Sequence, residues 1–393
     1  LNPVGGMEFN GFTAEISFYK KAMEKLEVEP MVFRVGDFKS AVEPYILDKM
    51  SEENREQINS FLNSIHNEML SDIAKSRKID KKELERIADE NLIQMPEDAK
   101  KYKLVDKIAY FDELEKEIKK ELDLKEKDKV NYVTQGTYDK VAGGSTSSSS
   151  SNRIAVIIAA GEIRSGKSED ESVMGSATIV SELRKARKNK RVKAVVLRIN
   201  SPGGSALASD VVWNEIQLTR KEKPVIASMS DYAASGGYYL AMGCDKILAK
   251  PTTITGSIGV FLLLFDVKNL FENKLGITTD RVSTGNFPEL RSVLLDRELK
   301  EEEKVMLQAS ADKVYDDFTK KAAEGRKMSQ EEIKAIASGR VWTGTQAKEN
   351  GLVDELGGLE AAIALAAKEA ELEEDDYRVR YYPAQKSFVD KLL

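Results

Sequence analysis

The chain has 393 residues, 41% of them hydrophobic, enough for two domains with full cores. A net charge of −6 argues against a nucleic-acid binder that works by neutralising phosphates. A single cysteine, Cys244, excludes internal disulfides and cysteine-rich metal sites, and a single histidine, His66, all but excludes a Ser-His-Asp centre.

The first residues, LNPVGGMEFNG, carry neither the basic nor the apolar region of a signal peptide. Lys39 follows in FRVGDFKSAVEP. A lysine accepts a proton only when largely neutral, against a usual pKa of ~10.4. Phe33, Val35, Phe38, Ala41 and Val42 offer apolar surroundings that would lower that value; a solvated surface lysine is the other reading. His66, in NSIHNEM on a polar helix, reads as a surface histidine rather than a ligand. Residues 143–151, GGSTSSSSS, form a small, polar linker.

The two sides of the linker are related. Residues 51–108 carry SEENREQ, SRKIDKKELERIAD and KLVDKI, and residues 300–356 carry KEEEKVM, GRKMSQEEIKAIAS and GLVDEL. Arg77 aligns with Arg326 at an offset of 249 and Leu104 with Leu352 at 248, so the chain contains an internal duplication. Asp80 and Ser329 read as equivalent helix caps, the latter with Glu332 in a capping box. The second copy has about 100 residues at its front, 153–250, without counterpart in the first. The expected organisation is residues 1–142 as the C-terminal part of a first repeat, 143–151 as linker, 152–375 as a complete second repeat and 376–393 as an extension. The chain is thus expected to begin inside a domain.

The second copy opens with β-rich apolar runs at Ile154–Ala160, Val192–Ile199 and Val225–Met229, separated by helical patterns at Ala177–Lys188 and Leu207–Arg220. Strands alternating with helices imply an α/β fold. Gly161–Ser168, GEIRSGKS, matches a phosphate-binding loop, but Glu169, Asp170 and Glu171 follow where a helix N-terminus would be needed, so a solvated loop is expected. Ser235 lies in SDYAASGGYY, between the Val225 strand and a helix from Tyr238 to Met242. Two readings stand: a capping serine in a tight turn, or a nucleophile. For the second, the Gly236 N–H can donate to an oxyanion, and the Ser201-Pro-Gly-Gly204 turn offers a second donor from Gly203 or Gly204. Ile258–Val267 is the longest apolar run and is too short to span a bilayer. Cys244 reads as a small core residue, and Glu371–Asp376 as a solvated helix end. Aligning Phe38 with Phe287 puts Pro288 opposite Lys39, while the first copy lacks an AASGG segment, so a Ser-Lys site would have to form between the copies.

SDYAASGGYY, the SPGG turn, TITGSIG (Thr253–Gly259) and FRVGDFKSAVEP together resemble the signal peptide peptidase A (protease IV) family in its long, duplicated form. The resemblance covers essentially the whole chain. It implies an α/β fold, a tandem repeat of Clp-protease/crotonase-like units with the first repeat truncated at its N-terminus. It implies Ser235 as nucleophile, Lys39 as general base, Ser257 as the residue that hydrogen-bonds the lysine, and no metal or cofactor. It further implies peptide substrates, namely cleaved signal peptides and other unfolded apolar segments. A membrane anchor preceding the catalytic part, a homo-oligomeric ring, and a place at the bacterial inner membrane facing the periplasm or cell exterior come with it. The alternatives are a crotonase-like enzyme acting on acyl-CoA, a non-catalytic scaffold that captures peptides, and a nucleotide binder using GEIRSGKS.

Overall fold

The computed structural model describes residues 1–135, 137–138, 150–170, 172–290, 292–373 and 376–383; linker residues 143–149 lie outside them. The chain forms two compact units, one of residues 1–14 and 62–145 and the other of residues 15–61 and 146–393. The linker is therefore one crossing between them. Two further crossings, at 14/15 and 61/62, put Lys39 in the unit that carries Ser235.

The described residues of the smaller unit carry helices and no strand, including Lys81–Asp89, Pro96–Lys101 and Phe111–Glu121. Leu70, Leu84, Ile87, Ala99 and Leu104 are its core. His66 is half-buried here, edge-on to Phe12 at 5.7 Å, with Nε2 buried and unpartnered among the described residues. The surface reading of this histidine is thus corrected: the apolar side of the helix holds its ring.

The duplication is visible in side-chain detail. In the smaller unit Arg77 pairs with Asp106 at 2.8 Å and donates through Nε to Lys103 O at 2.8 Å. In the larger unit Arg326 pairs with Asp354 at 2.9 Å and donates through Nε to Gly351 O at 2.8 Å. Asp80 and Ser329 cap the equivalent helices: Asp80 accepts from Lys82 N–H, and Ser329 and Glu332 complete a reciprocal capping box. Glu83 turns instead to Arg86.

The larger unit contains β1 (Glu29–Val35), β2 (Arg153–Ala160), β3 (Glu162–Arg164), β4 (Val173–Gly175), β5 (Val192–Ser201), β6 (Val225–Ala234), β7 (Lys246–Ala249), β8 (Ile254–Gly256), β9 (Val260–Asp266), β10 (Leu294–Leu295), β11 (Val341–Thr343), β12 (Glu355–Leu356) and β13 (Arg378–Tyr382). The main sheet runs β11-β8-β6-β5-β2-β13, with β7 beside β6 and β12 beside β7; β2, β5 and β6 are parallel. Alternate residues of β2 enter opposite cores. Ala155, Ile157 and Ala159 join a large core with helices Ser176–Lys188, Ala206–Arg220, Gly236–Ala241 and Glu301–Arg326. Ile154 and Val156 join a smaller one with helix Leu359–Glu369. Burial on both faces is why these strands read as unbroken apolar runs.

Three segments depart from expectation. β6 continues five residues past Met229, because Tyr232–Ala234 pair with Ile254–Gly256; SDYAA is strand, and the turn is confined to Ser235. Residues 378–382, expected in an extension, form the edge strand β13 beside β2. The Ile258–Val267 run becomes β9, which pairs antiparallel with β1, Glu29 opposite Asp266 and Val35 opposite Val260.

Tyr238 is completely buried and its hydroxyl donates to Leu352 O at 3.0 Å. We expect Tyr238→Phe to destabilise the protein by about 1–2 kcal/mol, because a buried carbonyl loses its partner. Urea denaturation measures this; unchanged stability would show that the bond contributes nothing net.

Candidate active site

Ser235 sits where β6 passes into helix Gly236–Ala241. Its backbone lies at φ 53°, ψ −117°, a conformation costly for a residue with a Cβ. Donation from Ser235 N–H to Gly256 O (2.9 Å) and from Tyr239 N–H to Ser235 O (2.9 Å) holds it there. Ser235 occupies the helix N-cap, yet its side chain makes no capping hydrogen bond. The AASGG serine therefore does not serve as a side-chain cap of this helix.

It is turned toward Lys39. Lys39 Nζ lies 3.1 Å from Ser235 Oγ and donates to Ser257 O and Ser257 Oγ, each at 2.9 Å. Ser257, directly after β8, is also held at positive φ (51°), and its N–H donates to Arg340 O at 2.7 Å. Lys39 is only 5% exposed and has no carboxylate among its Nζ partners. Burial therefore pushes its pKa down to about 7. An amine so placed is substantially neutral near pH 7, and it lies within hydrogen-bond distance of the Ser235 hydroxyl.

Sequence reasoning did not single out the segment that ties the Lys39 loop to the Ser257 turn, Ser338-Gly339-Arg340. Ser338 O accepts from Phe38 N–H (2.9 Å), Ser338 Oγ from Asp37 N–H (3.0 Å), and Gly339 N–H donates to Ile258 O (2.8 Å). The segment thus lies between the Lys39 loop and the Ser257 turn and is bonded to both. Gly339 has φ +80°, and a Cβ on it would come within 2.6 Å of Lys39 N, so only glycine fits. Arg340 stacks between the rings of Phe38 (4.8 Å) and Trp342 (4.4 Å). A signal for this segment existed. At the offset of 249, Ser338, Gly339 and Arg340 fall opposite Asp89, Glu90 and Asn91, so the copies diverge there.

The glycines also converge. Gly203 has φ +110°, and a Cβ on it would stand 2.8 Å from both Gly236 N and Ser235 Cβ. The SPGG turn therefore packs directly against the Ser235 turn. Gly203 N–H donates to Ser201 Oγ at 3.2 Å, which leaves Gly204 as the better candidate for the second oxyanion donor beside Gly236. These groups open on a cleft of about 890 Å³ lined by Phe38, Ile58, Phe61, Leu262, Val314 and Phe318 among others. Among the described residues no group of three or more His, Cys, Asp or Glu is brought together for a metal. In GEIRSGKS residues 165–168 form an exposed loop, and no helix follows it directly; the next helix starts at Ser176 and its first turn packs back on the loop, with Ala177 N–H donating to Gly166 O (2.8 Å) and Ser168 N–H to Thr178 Oγ1 (2.9 Å). Cys244 is buried in the core, where burial raises its thiol pKa.

The Peptidase family S49 model matches residues 1–125 and 217–373, and the Clp protease model matches residues 147–253. The chain is 39% identical over 370 residues to the chloroplastic serine protease SPPA of Arabidopsis thaliana, covering 92% of this chain and 54% of that one. It is 37% identical over 402 residues to Protease 4 of Salmonella typhi, covering 100% and 63%. It is 38% identical over 218 residues to a putative protease of Synechocystis, covering 56% and 78%. The chain therefore spans between half and two thirds of the first two relatives.

The lowered pKa of Lys39 has a thermodynamic consequence. Its folded value, about 7, lies below the unfolded value of ~10.4. Between these the unfolded state binds more protons, so this group makes stability rise with pH across that window and imposes its full cost below pH ~7. We expect Lys39→Met to be more stable than the native chain by about 2–5 kcal/mol at pH 6, with the gain vanishing near pH 10. Urea denaturation at both pH values tests it; a gain independent of pH would mean that Lys39 is not desolvated.

Proposed function

The chain belongs to peptidase family S49, and on that premise we propose that it is a serine endopeptidase working through a Ser235-Lys39 dyad. The observation that carries the proposal is the 3.1 Å approach of a buried, carboxylate-free lysine amine to a serine hydroxyl that caps nothing. Neutral Lys39 takes the Ser235 proton as Oγ attacks the substrate carbonyl carbon. The N–H groups of Gly236 and Gly204 hold the oxyanion. Ser257 orients Nζ through its hydroxyl and carbonyl oxygens. As the tetrahedral intermediate collapses, Lys39 returns the proton to the leaving amine. Water, deprotonated by the same amine, then hydrolyses the acyl-enzyme.

An apolar cleft suits extended apolar segments, and we assign cleaved signal peptides and other unfolded apolar stretches as substrates. Among the described residues no helix is long and apolar enough to cross a membrane. The proposal extends to a membrane-anchored, homo-oligomeric enzyme facing the periplasm or cell exterior, in keeping with the resemblance of its motifs.

A fluorophosphonate should form an adduct on Ser235, located by intact mass and peptide mapping. We expect Ser235→Ala and Lys39→Ala each to reduce peptide turnover at least about 10³-fold. Full turnover in either variant overturns the dyad. Because the neutral amine is the active form, kcat/KM should rise with pH through a midpoint near 7 and plateau above it. A midpoint near 10 would contradict the burial of Lys39.

A further inference from the structure

Lys39 reaches its partners through one atom at the end of a flexible chain, so the backbone that carries it must be held. Gln57, in helix Glu52–Arg77, does this from both sides. Its Nε2 donates to Phe38 O at 3.0 Å and to Ser40 Oγ at 2.8 Å, the residues flanking Lys39. Its Oε1 accepts from Val341 N–H at 3.3 Å, just after the Ser338–Arg340 segment. Gln57 is itself oriented: Asn54 Oδ1, 3.1 Å from Nε2, shares one of its two N–H groups with the acceptors above, and Asn54 Nδ2 donates to Glu43 Oε2 at 2.9 Å. Glu43 is wholly buried and also accepts from Ser51 Oγ at 2.6 Å and Ser51 N–H at 3.2 Å. Gln57 and Asn54 are each 3% exposed.

Apolar side chains would fill this space without the cost of desolvating two carboxamides and a carboxylate. What apolar groups would lack is direction: only hydrogen bonds fix the atoms on either side of Lys39. We propose that Gln57, oriented by Asn54 and Glu43, is a positioning residue that keeps Lys39 Nζ in line with Ser235 Oγ. The proposal rests on the Ser-Lys reading above and adds the device that aligns the base.

The charged groups around this loop are Asp37, Arg34, Glu43, Arg340 and Glu56. Arg34 Nη1 lies 3.5 Å from Lys39 O and 4.0 Å from Glu43, and Arg340 pairs with Glu56 at 2.8 Å. A carboxylate in place of the Gln57 amide would add negative charge beside Lys39 and favour its protonated form.

The test is the rate of Ser235 acylation by a fluorophosphonate from pH 5 to 10, with kcat and KM for a peptide, in the full chain. Native protein, Gln57→Leu, Gln57→Glu and Lys39→Ala are compared. We expect Gln57→Leu to slow acylation and kcat roughly 10²-fold with KM changed less than about twofold, the cost of a misaligned base. Gln57→Glu should move the acid limb upward by about one pH unit. Native rates in Gln57→Leu together with a native limb in Gln57→Glu overturn the proposal. Should Gln57→Leu fail to fold by circular dichroism, the limb of Gln57→Glu decides alone. Lys39→Ala separates the two readings: if it acylates at the native rate, the dyad itself fails, whereas an inert Lys39→Ala beside native-like Gln57 variants removes only the positioning role.

Discussion

An ammonium group stripped of water is unstable, and a lysine that must act as a base near neutral pH depends on that instability. Lys39 has no counter-ion at its amine; two serine side chains and a carbonyl are its partners, and apolar or backbone surfaces close round its stem. An aspartate in place of Ser257 would make the amine comfortable and charged, and would end its use as a base. The neutral partners and the tight burial are therefore one design: the site orients the amine without stabilising its cation.

Much of the larger unit can be understood as supplying that environment from pieces distant in sequence. β1 pairs along its length with β9, which delivers the loop carrying Lys39 to the end of β8, where Ser257 begins its turn. Ser338–Arg340 then bonds to both. Ser235 is handled differently. Ser235 is pinned by its own backbone, at a strained φ held between β8 and the first helical turn, and the SPGG turn packs against it. One partner is fixed by strain in the main chain and the other by a network of side-chain and main-chain bonds. The difference follows from their lengths: a serine hydroxyl goes where its Cα points, whereas a lysine amine has four methylenes of freedom to lose.

The sequence reading reached the α/β class, the strands of the second copy and the duplication, and it named Lys39, Ser235 and Ser257, which the fold brings within hydrogen-bond distance, because each leaves a local mark. Buried parallel strands read as apolar runs, and the copies share Arg77/Arg326 and Asp106/Asp354, which make the same ion pair in each unit. What escaped was encoded in long-range pairing. β6 runs on to Ala234 despite the polar Ser230 and Asp231, because β8 lies alongside, and β8 is separated from it in sequence. Residues 378–382 become a strand only because β2 offers an edge. Nothing in the sequence around Gln57 and Asn54 marks them out; their burial depends on the Lys39 loop folding over them. His66 escaped for the converse reason, since a polar helix segment gave no hint that Phe12 would pack on its ring.

The duplication also bears on why Lys39 and Ser235 come from different copies. Both copies keep the capped helix and the arginine-aspartate pair that stabilise this part of the fold, so these features serve structure in either context. They differ where the site is built: Pro288 stands opposite Lys39, and Asp89-Glu90-Asn91 opposite Ser338-Gly339-Arg340. A proline cannot supply an amine, and a residue with a Cβ at position 339 would collide with the Lys39 backbone. Once each copy holds only one half of the site, neither half has chemical use without the other. On the function proposed above, the contacts that join them, β1 to β9 and Ser338–Arg340 to the Lys39 loop, answer to the geometry of Lys39 and Ser235 as well as to packing. The lowered pKa of Lys39 belongs to the folded state, because its amine is dehydrated only once β1, β9 and the Ser338–Arg340 segment have closed around it.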